Sequence, residues 1–334
     1  MNIRVIMIIL LLFSLAVPGT SRASLDASKS VNYVLADDLS GVKVAIFNGS
    51  TTEISASCKN ASEAMFEWMN ATVEFITEDD ISDNRLYFYD ILVFPPGDLA
   101  EYSIKLGSSG KAKIREYITN GGSYIGISRG AHFACEVANV YGVQNEWGLN
   151  LFSGTGIGPV DGYLDQHMYE VDINKTIPGL DLSSIPDTLT MMGWESIRFA
   201  PDENPPLNVI ATFPSNDQPG MISYQYGSGC VFLSGIHPEF EEDGDRDNTY
   251  YFDAHEDPET DWPLMNEISQ WLVATSTWDN ASIPTTSSTT TTTATTSTNT
   301  TTNGQPMAIE PLLLAGGIGV VVILLIAVAI FKKR

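Results

Sequence analysis

Apolar positions along the chain fall into two regimes. Up to about residue 138, short unbroken apolar runs alternate with longer amphipathic stretches. Residues 42–47 (VKVAIF) read as a first buried strand, ended by Asn48-Gly49-Ser50, and residues 72–76, 91–94 and 123–127 read as three more. Helices are predicted between and after them, over residues 58–69, 111–119 and 130–138. In the second of these Ile114 and Ile118 stand one turn apart, and Asn120-Gly121-Gly122 supplies residues that tolerate the left-handed conformation of a helix end. From residue 150 to 235 the texture changes to short β-like runs: 168–173, 189–192, 209–213, 221–226 and 231–234. Residues 263–273 read as a closing helix. Strands alternating with helices predict an α/β, mostly parallel sheet with helices on both faces, and the later runs predict its antiparallel extension.

Two apolar segments stand apart from that pattern. Residues 5–17 follow Arg4 and lead to small residues around Ser21 and Ala23. This predicts a secretory signal peptide over 1–23, since the run is too short to cross roughly 30 Å of hydrocarbon. Residues 312–331 carry no charge and end in Lys332-Lys333-Arg334. At a rise of ~1.5 Å per residue they span about 30 Å, so 311–334 is expected to form a C-terminal transmembrane anchor with a basic cytoplasmic tail. Residues 285–302 are Thr and Ser apart from Ala294 and Asn299. With nothing to bury, 279–310 reads as a disordered stalk. One domain, 24–278, is thus expected at the cell surface, with the membrane as a partner through the C-terminal helix. Sequons at Asn48, Asn60, Asn70, Asn174, Asn280 and Asn299 fit a glycoprotein.

Charge sharpens that picture. The formal net charge is −24, a sign that repels nucleic acid. No phosphate-binding G-x-x-x-x-G-K-[ST] is present, so neither nucleic acid nor ATP is an expected partner, and no cofactor is expected. Cys58, Cys135 and Cys230 match no metal spacing and leave open either one disulfide with a thiol or three buried thiols. The acidic run 241–247 is either a calcium loop or a solvated loop; its glycine is misplaced for an EF-hand, which favours the second.

The chemistry concentrates in three places. Gly126-Ile127-Ser128-Arg129-Gly130 has the G-x-S-x-G spacing of a nucleophile elbow, between a predicted strand and a helix of small residues. His237-Pro238-Glu239 follows a strand and offers a base with an orienting carboxylate. Pro95-Pro96-Gly97 follows another. An oxyanion hole needs two backbone N–H groups; Arg129 would supply one, and Gly97 the other because Pro96 has none. His132, one turn past Ser128, either lines the pocket as a substrate-binding residue or packs; packing is the expectation. Cys135 reads as core.

This order of motifs, with Gly121-Gly122-Ser123-Tyr124-Ile125-Gly126 continued by Gly130-Ala131-His132-Phe133-Ala134, resembles the class I glutamine amidotransferase-like superfamily. Within it the resemblance is to the domain at the N-terminus of some biotin–protein ligases, and a loop over 152–159 fits as well. The resemblance implies a flavodoxin-like sheet and a nucleophile–His–Glu triad: Ser128, His237 and Glu239. That family usually has Cys at the elbow and a small residue after it, whereas this chain has Ser128 and Arg129. Serine there is similar to the peptidase E and cyanophycinase branches, which implies a serine hydrolase acting on an amide or peptide bond of a small-molecule or peptide substrate. The alternative is an inactive ligand-binding or sensing domain on the same fold. Arg129 either forms a fixed ion pair with an acidic side chain or binds a substrate carboxylate.

Overall fold

The computed structural model describes residues 38–203, 206–241, 245–255 and 260–277, all within one compact unit. The expected signal peptide, stalk and anchor lie outside the described residues. Among the described residues no helix is long and apolar enough to cross a membrane.

The first half is built as strand–helix units: β1 (Lys43–Phe47), α1 (Glu53–Trp68), β2 (Thr72–Ile76), α2 (Glu78–Ser82), β3 (Ile91–Phe94), α3 (Leu99–Thr119), β4 (Ser123–Ile127) and α4 (Arg129–Ala134). The second half is mostly strand: β5 (Cys135–Val140), β6 (Val143–Asn145), β7 (Phe152–Gly158), β8 (Gln166–Ile173), β9 (Thr188–Trp194), β10 (Arg198–Pro201), β11 (Asn208–Phe213), β12 (Gln218–Tyr226) and β13 (Gly229–Ser234), closed by α5 (Trp262–Thr275). Nine strands form one sheet in the order β2-β1-β3-β4-β13-β12-β11-β8-β9. The pairs from β2 through β13 are parallel, and those from β13 to β9 are antiparallel. The antiparallel extension is therefore present as expected.

Strand alternation places β1 between two cores. Val44 and Ile46 join a cluster with Met65 and Phe66 of α1 and with Trp262, Leu264 and Ile268 of α5. Ala45 and Phe47 face the other way, among Leu99, Tyr102 and Ile114 of α3 and Phe133 of α4. Both faces are buried, which is why the parallel strands read as continuous apolar runs.

Three sequence expectations change. The first helix starts at Glu53, where Thr52 caps it by accepting a hydrogen bond from the Ser55 amide at 3.3 Å. The helix expected over 111–119 is the second part of α3, which begins at Leu99 and passes a break at Gly107 (φ 54°, ψ −169°). The helix expected over 130–138 ends at Ala134. The amides of Leu149 and Leu151 take the carbonyls of Phe133 and Ala134, and Cys135 turns extended to begin β5. A second sheet, β10-β7-β5-β6, follows from that turn, and the stretch 152–158 is a strand of it. Cys58, Cys135 and Cys230 are buried free thiols, which decides between the alternatives left open.

Candidate active site

The three chemical motifs meet at the carboxyl ends of β3, β4 and β13, which are neighbours in the sheet. Register sets Phe94 opposite Gly126 and Ser234 opposite Ile127. The segments leaving these strands therefore emerge side by side at the edge where open parallel sheets bind ligands.

Ser128 occupies the turn between β4 and α4 at φ 48° and ψ −112°. That is a sparsely populated conformation for a residue with a side chain, and the surroundings must hold it there. They do so from both sides. The Ser128 amide donates to the Ser234 carbonyl at 2.8 Å, and the Ser128 carbonyl accepts from the His132 amide at 2.9 Å. The flanking glycines make the crossing feasible. A Cβ on Gly130 would stand 1.9 Å from the Phe94 carbonyl oxygen, and one on Gly126 would stand 2.8 Å from the Gly130 oxygen.

His237 is fixed where the chain leaves β13. Its amide donates to the Met192 carbonyl of β9 at 2.8 Å. Its Nδ1 lies 3.0 Å from Glu239 Oε1, and both side chains are almost fully buried. A carboxylate accepting at Nδ1 places the proton there and leaves the Nε2 lone pair free. Glu239 is anchored through its carbonyl, which accepts from Trp262 Nε1 at 3.0 Å. Rings of Phe240 and Phe252 flank His237, with centroids at 5.6 and 6.4 Å.

A cavity of about 510 Å³ opens over this arrangement, and Ser128, His237, Gly97 and Arg129 all line it. Its outer wall is largely apolar: Trp194, and Tyr141, Val143 and Trp147 from the β5–β6 hairpin and the loop after it.

Residues 42–174 match the family model for the N-terminal region of biotin–protein ligase. The biotin–protein ligase of Schizosaccharomyces pombe is 28% identical over 169 residues, which cover 46% of this chain and 26% of that protein. The chain thus spans about a quarter of that relative's length. Among solved structures, a ThuA-like protein from Bacteroides uniformis is similar at 12% identity and a TM-score of 0.45, over 70% of this chain and 92% of that one. Another ThuA-like protein, from Parabacteroides merdae, is similar at 13% and 0.43, over 70% and 90%. The sequence matches support the resemblance read from the residues at the level of the biotin–protein ligase N-terminal family. The matched stretch contains the Ser128 elbow; His237 and Glu239 lie beyond it.

The remaining candidates separate. His132 packs: it is buried, its Nε2 is 3.1 Å from the Gly156 carbonyl oxygen, and it does not line the cavity. Burial, then the charge of Arg129, pulls its pKa down to about 3, so it stays a neutral ring. Arg129 forms an ion pair with Glu195, and both sit in the cavity wall. The fixed ion pair expected as one of the two roles of Arg129 is present. The described part of the acidic run is not a solvated loop either. Glu241 and Asp247 are buried; Glu241 pairs with Arg246, and Asp247 accepts from the amides of Glu241 and Thr249 at 3.2 and 3.0 Å. Residues 242–244 lie outside the described set.

One site residue escaped the sequence reading. Cys58 of α1 is fully buried, and its sulfur forms a cluster with His237 and Glu239 whose ligand atoms all lie within 4.8 Å of one another. No spacing signals this, because α1 reaches the site only through tertiary packing.

Proposed function

We propose that this domain is a serine hydrolase of the amidotransferase-like type, cleaving an amide or peptide bond through Ser128, His237 and Glu239. The observation that carries the reading is the elbow itself: a serine held in a strained turn, opening into the same cavity as a histidine whose Nδ1 is bound by a buried glutamate. In this scheme Ser128 Oγ attacks the substrate carbonyl and His237 Nε2 takes its proton. The tetrahedral oxyanion rests on the amides of Gly97 and Arg129, where one such donor is worth about 3 kcal/mol of transition-state stabilisation. His237 then returns the proton to the leaving amine, and water releases the acyl group by the same steps in reverse. Glu239 keeps the imidazole in the reactive tautomer. Because Glu195 neutralises Arg129 and the outer wall is aromatic, the favoured substrate carries a neutral, apolar group beside the scissile bond. On the apolar segment 312–331 and the Thr-rich tract before it, we place the domain at the cell surface.

A fluorophosphonate probe tests the chemistry. Expected is covalent labelling at Ser128, lost in Ser128→Ala with the melting temperature retained, and stronger for uncharged aryl probes than for anionic ones. A folded wild-type chain that does not label, or labelling that persists in Ser128→Ala, overturns the hydrolase reading and leaves the ligand-binding alternative.

A further inference from the structure

Cys58, His237 and Glu239 combine a thiol, an imidazole and a carboxylate, three ligand types that zinc accepts together. None of the three side chains is more than 2% exposed. Glu239 spends only Oε1 on His237; its Oε2 is buried with no hydrogen-bond partner. A fully buried carboxylate oxygen left without a donor is costly, so its persistence asks for an explanation. Cys58 is the group beside it. Its thiol faces the Glu239 carboxylate closely enough for a hydrogen bond, so a bound ion would take the place of a shared proton.

We propose that Cys58, His237 and Glu239 bind a single zinc ion and that the bound ion switches off the Ser128 site. Tetrahedral zinc with ligand bonds of roughly 2.0–2.3 Å separates its donor atoms by roughly 3–4 Å. The three donors already lie within 4.8 Å of one another, so a small inward movement completes three positions. Water from the cavity fills the fourth, since His237 lines it. On binding, the Cys58 thiol gives up its proton to solvent and the thiolate joins the metal; nothing is oxidised or reduced. If the metal takes Nδ1, that nitrogen's proton passes to Nε2, which can no longer accept one from Ser128. If it takes Nε2, the lone pair is consumed directly. Either ligation also draws Glu239 from its orienting role. The inhibitory half rests on the hydrolase reading; the binding half does not.

Cobalt(II) keeps the two halves apart. The metal-free full chain titrated with cobalt chloride is expected to bind one equivalent, with a sulfur-to-cobalt charge-transfer band in the near ultraviolet and tetrahedral visible bands. Cys58→Ala should lose the charge-transfer band, and Cys135→Ser and Cys230→Ser should keep it. Should Cys58→Ala not fold, Cys58→Ser serves, with the charge-transfer band lost. Absence of the band in the folded wild type, or its persistence without Cys58, overturns the site. In the second arm, zinc should lower fluorophosphonate labelling of the wild type about tenfold or more, and a chelator should restore it. The Cys58 variant should label without responding to zinc. Wild-type labelling that zinc leaves unchanged while cobalt still binds overturns the switch. A chain that shows the cobalt band but never labels refutes the hydrolase reading and leaves the metal site standing.

Discussion

Ser128 is held by what its neighbours lack. Its backbone angles are unfavourable by an amount of order 1–3 kcal/mol, and the turn survives because two glycines let α4 cross close over β3 and β4. Gly130 is the tighter of the two, since its missing side chain faces a backbone oxygen that cannot rotate away. We therefore expect Gly130→Ala to cost roughly 2–4 kcal/mol, at or above the upper end of ordinary overpacking because backbone rather than side chain must yield. Thermal melting measures the loss. At a temperature where the variant is still folded, probe labelling should fall as well, because the displaced turn carries Ser128. A melting temperature within a degree or two of wild type would show that β3 and α4 part more easily than this contact implies. The residues at this point were legible in the sequence because the elbow is local: five consecutive positions specify it. The ion pair of Arg129 was legible only as one of two roles, since Glu195 comes to it through tertiary structure from the end of β9.

At the scale of elements, legibility follows how much of the environment is written into the element itself. Strands β2, β3 and β4 have the bounds expected from the sequence, and β1 differs by one residue. Buried parallel strands advertise themselves as short runs of apolar residues between polar turns. The second sheet was missed because β5 follows α4 without a loop; hydrogen bonds from residues 149 and 151 take up the carbonyls of Phe133 and Ala134 where the helix ends. The first part of α3 was missed for a different reason. Gly107-Ser108-Ser109-Gly110 reads as a helix breaker, and at Gly107 the helical geometry does break, yet the chain resumes its course. An added Cβ at Gly107 meets nothing within 4 Å, so substitution there isolates backbone strain from crowding. Gly107→Ala is expected to destabilise by roughly 1–3 kcal/mol through φ and ψ alone, with probe labelling of Ser128 unchanged. Urea denaturation supplies the first number. A variant as stable as wild type would mean that α3 can straighten through residue 107 without loss. Read beside Gly130→Ala, the pair separates strain that supports the site from strain that only shapes a helix.

For the molecule as a whole, two buried groups with opposite responses to protons tilt stability against pH in opposite directions. His132 has its pKa lowered from 6.5 to about 3, by burial first and the Arg129 charge second. Its neutral form suits the fold, so its contribution is complete above pH 6.5 and is lost as the pH falls toward 3. Asp247 has its pKa raised from 3.8 to about 6, by burial first, against the two amides that favour its charge. Its neutral form suits the fold, so its contribution is complete below pH 3.8 and is lost as the pH rises through 6. Inside its window each group tilts stability by at most about 1.4 kcal/mol per pH unit, Asp247 by less because its carboxylate is less thoroughly removed from water. From pH 6 down to 4 the tilts oppose, and wild-type stability from this pair stays nearly level. Below pH 4 Asp247 is protonated in both states and no longer compensates. The half-buried residues Asp38, Asp80 and Glu101, whose carboxylate pKa values are lowered by hydrogen bonds, then begin to add to the loss. Asp247→Asn removes one side of the balance. The variant's stability should fall by about 2 kcal/mol between pH 6 and pH 4, where the wild type changes by less than half as much. Urea denaturation at half-unit steps of pH, followed by far-ultraviolet circular dichroism, compares the two slopes. Equal slopes, with the wild type losing stability as steeply as the variant, would mean that the Asp247 carboxylate remains charged down to pH 4 and cannot offset His132.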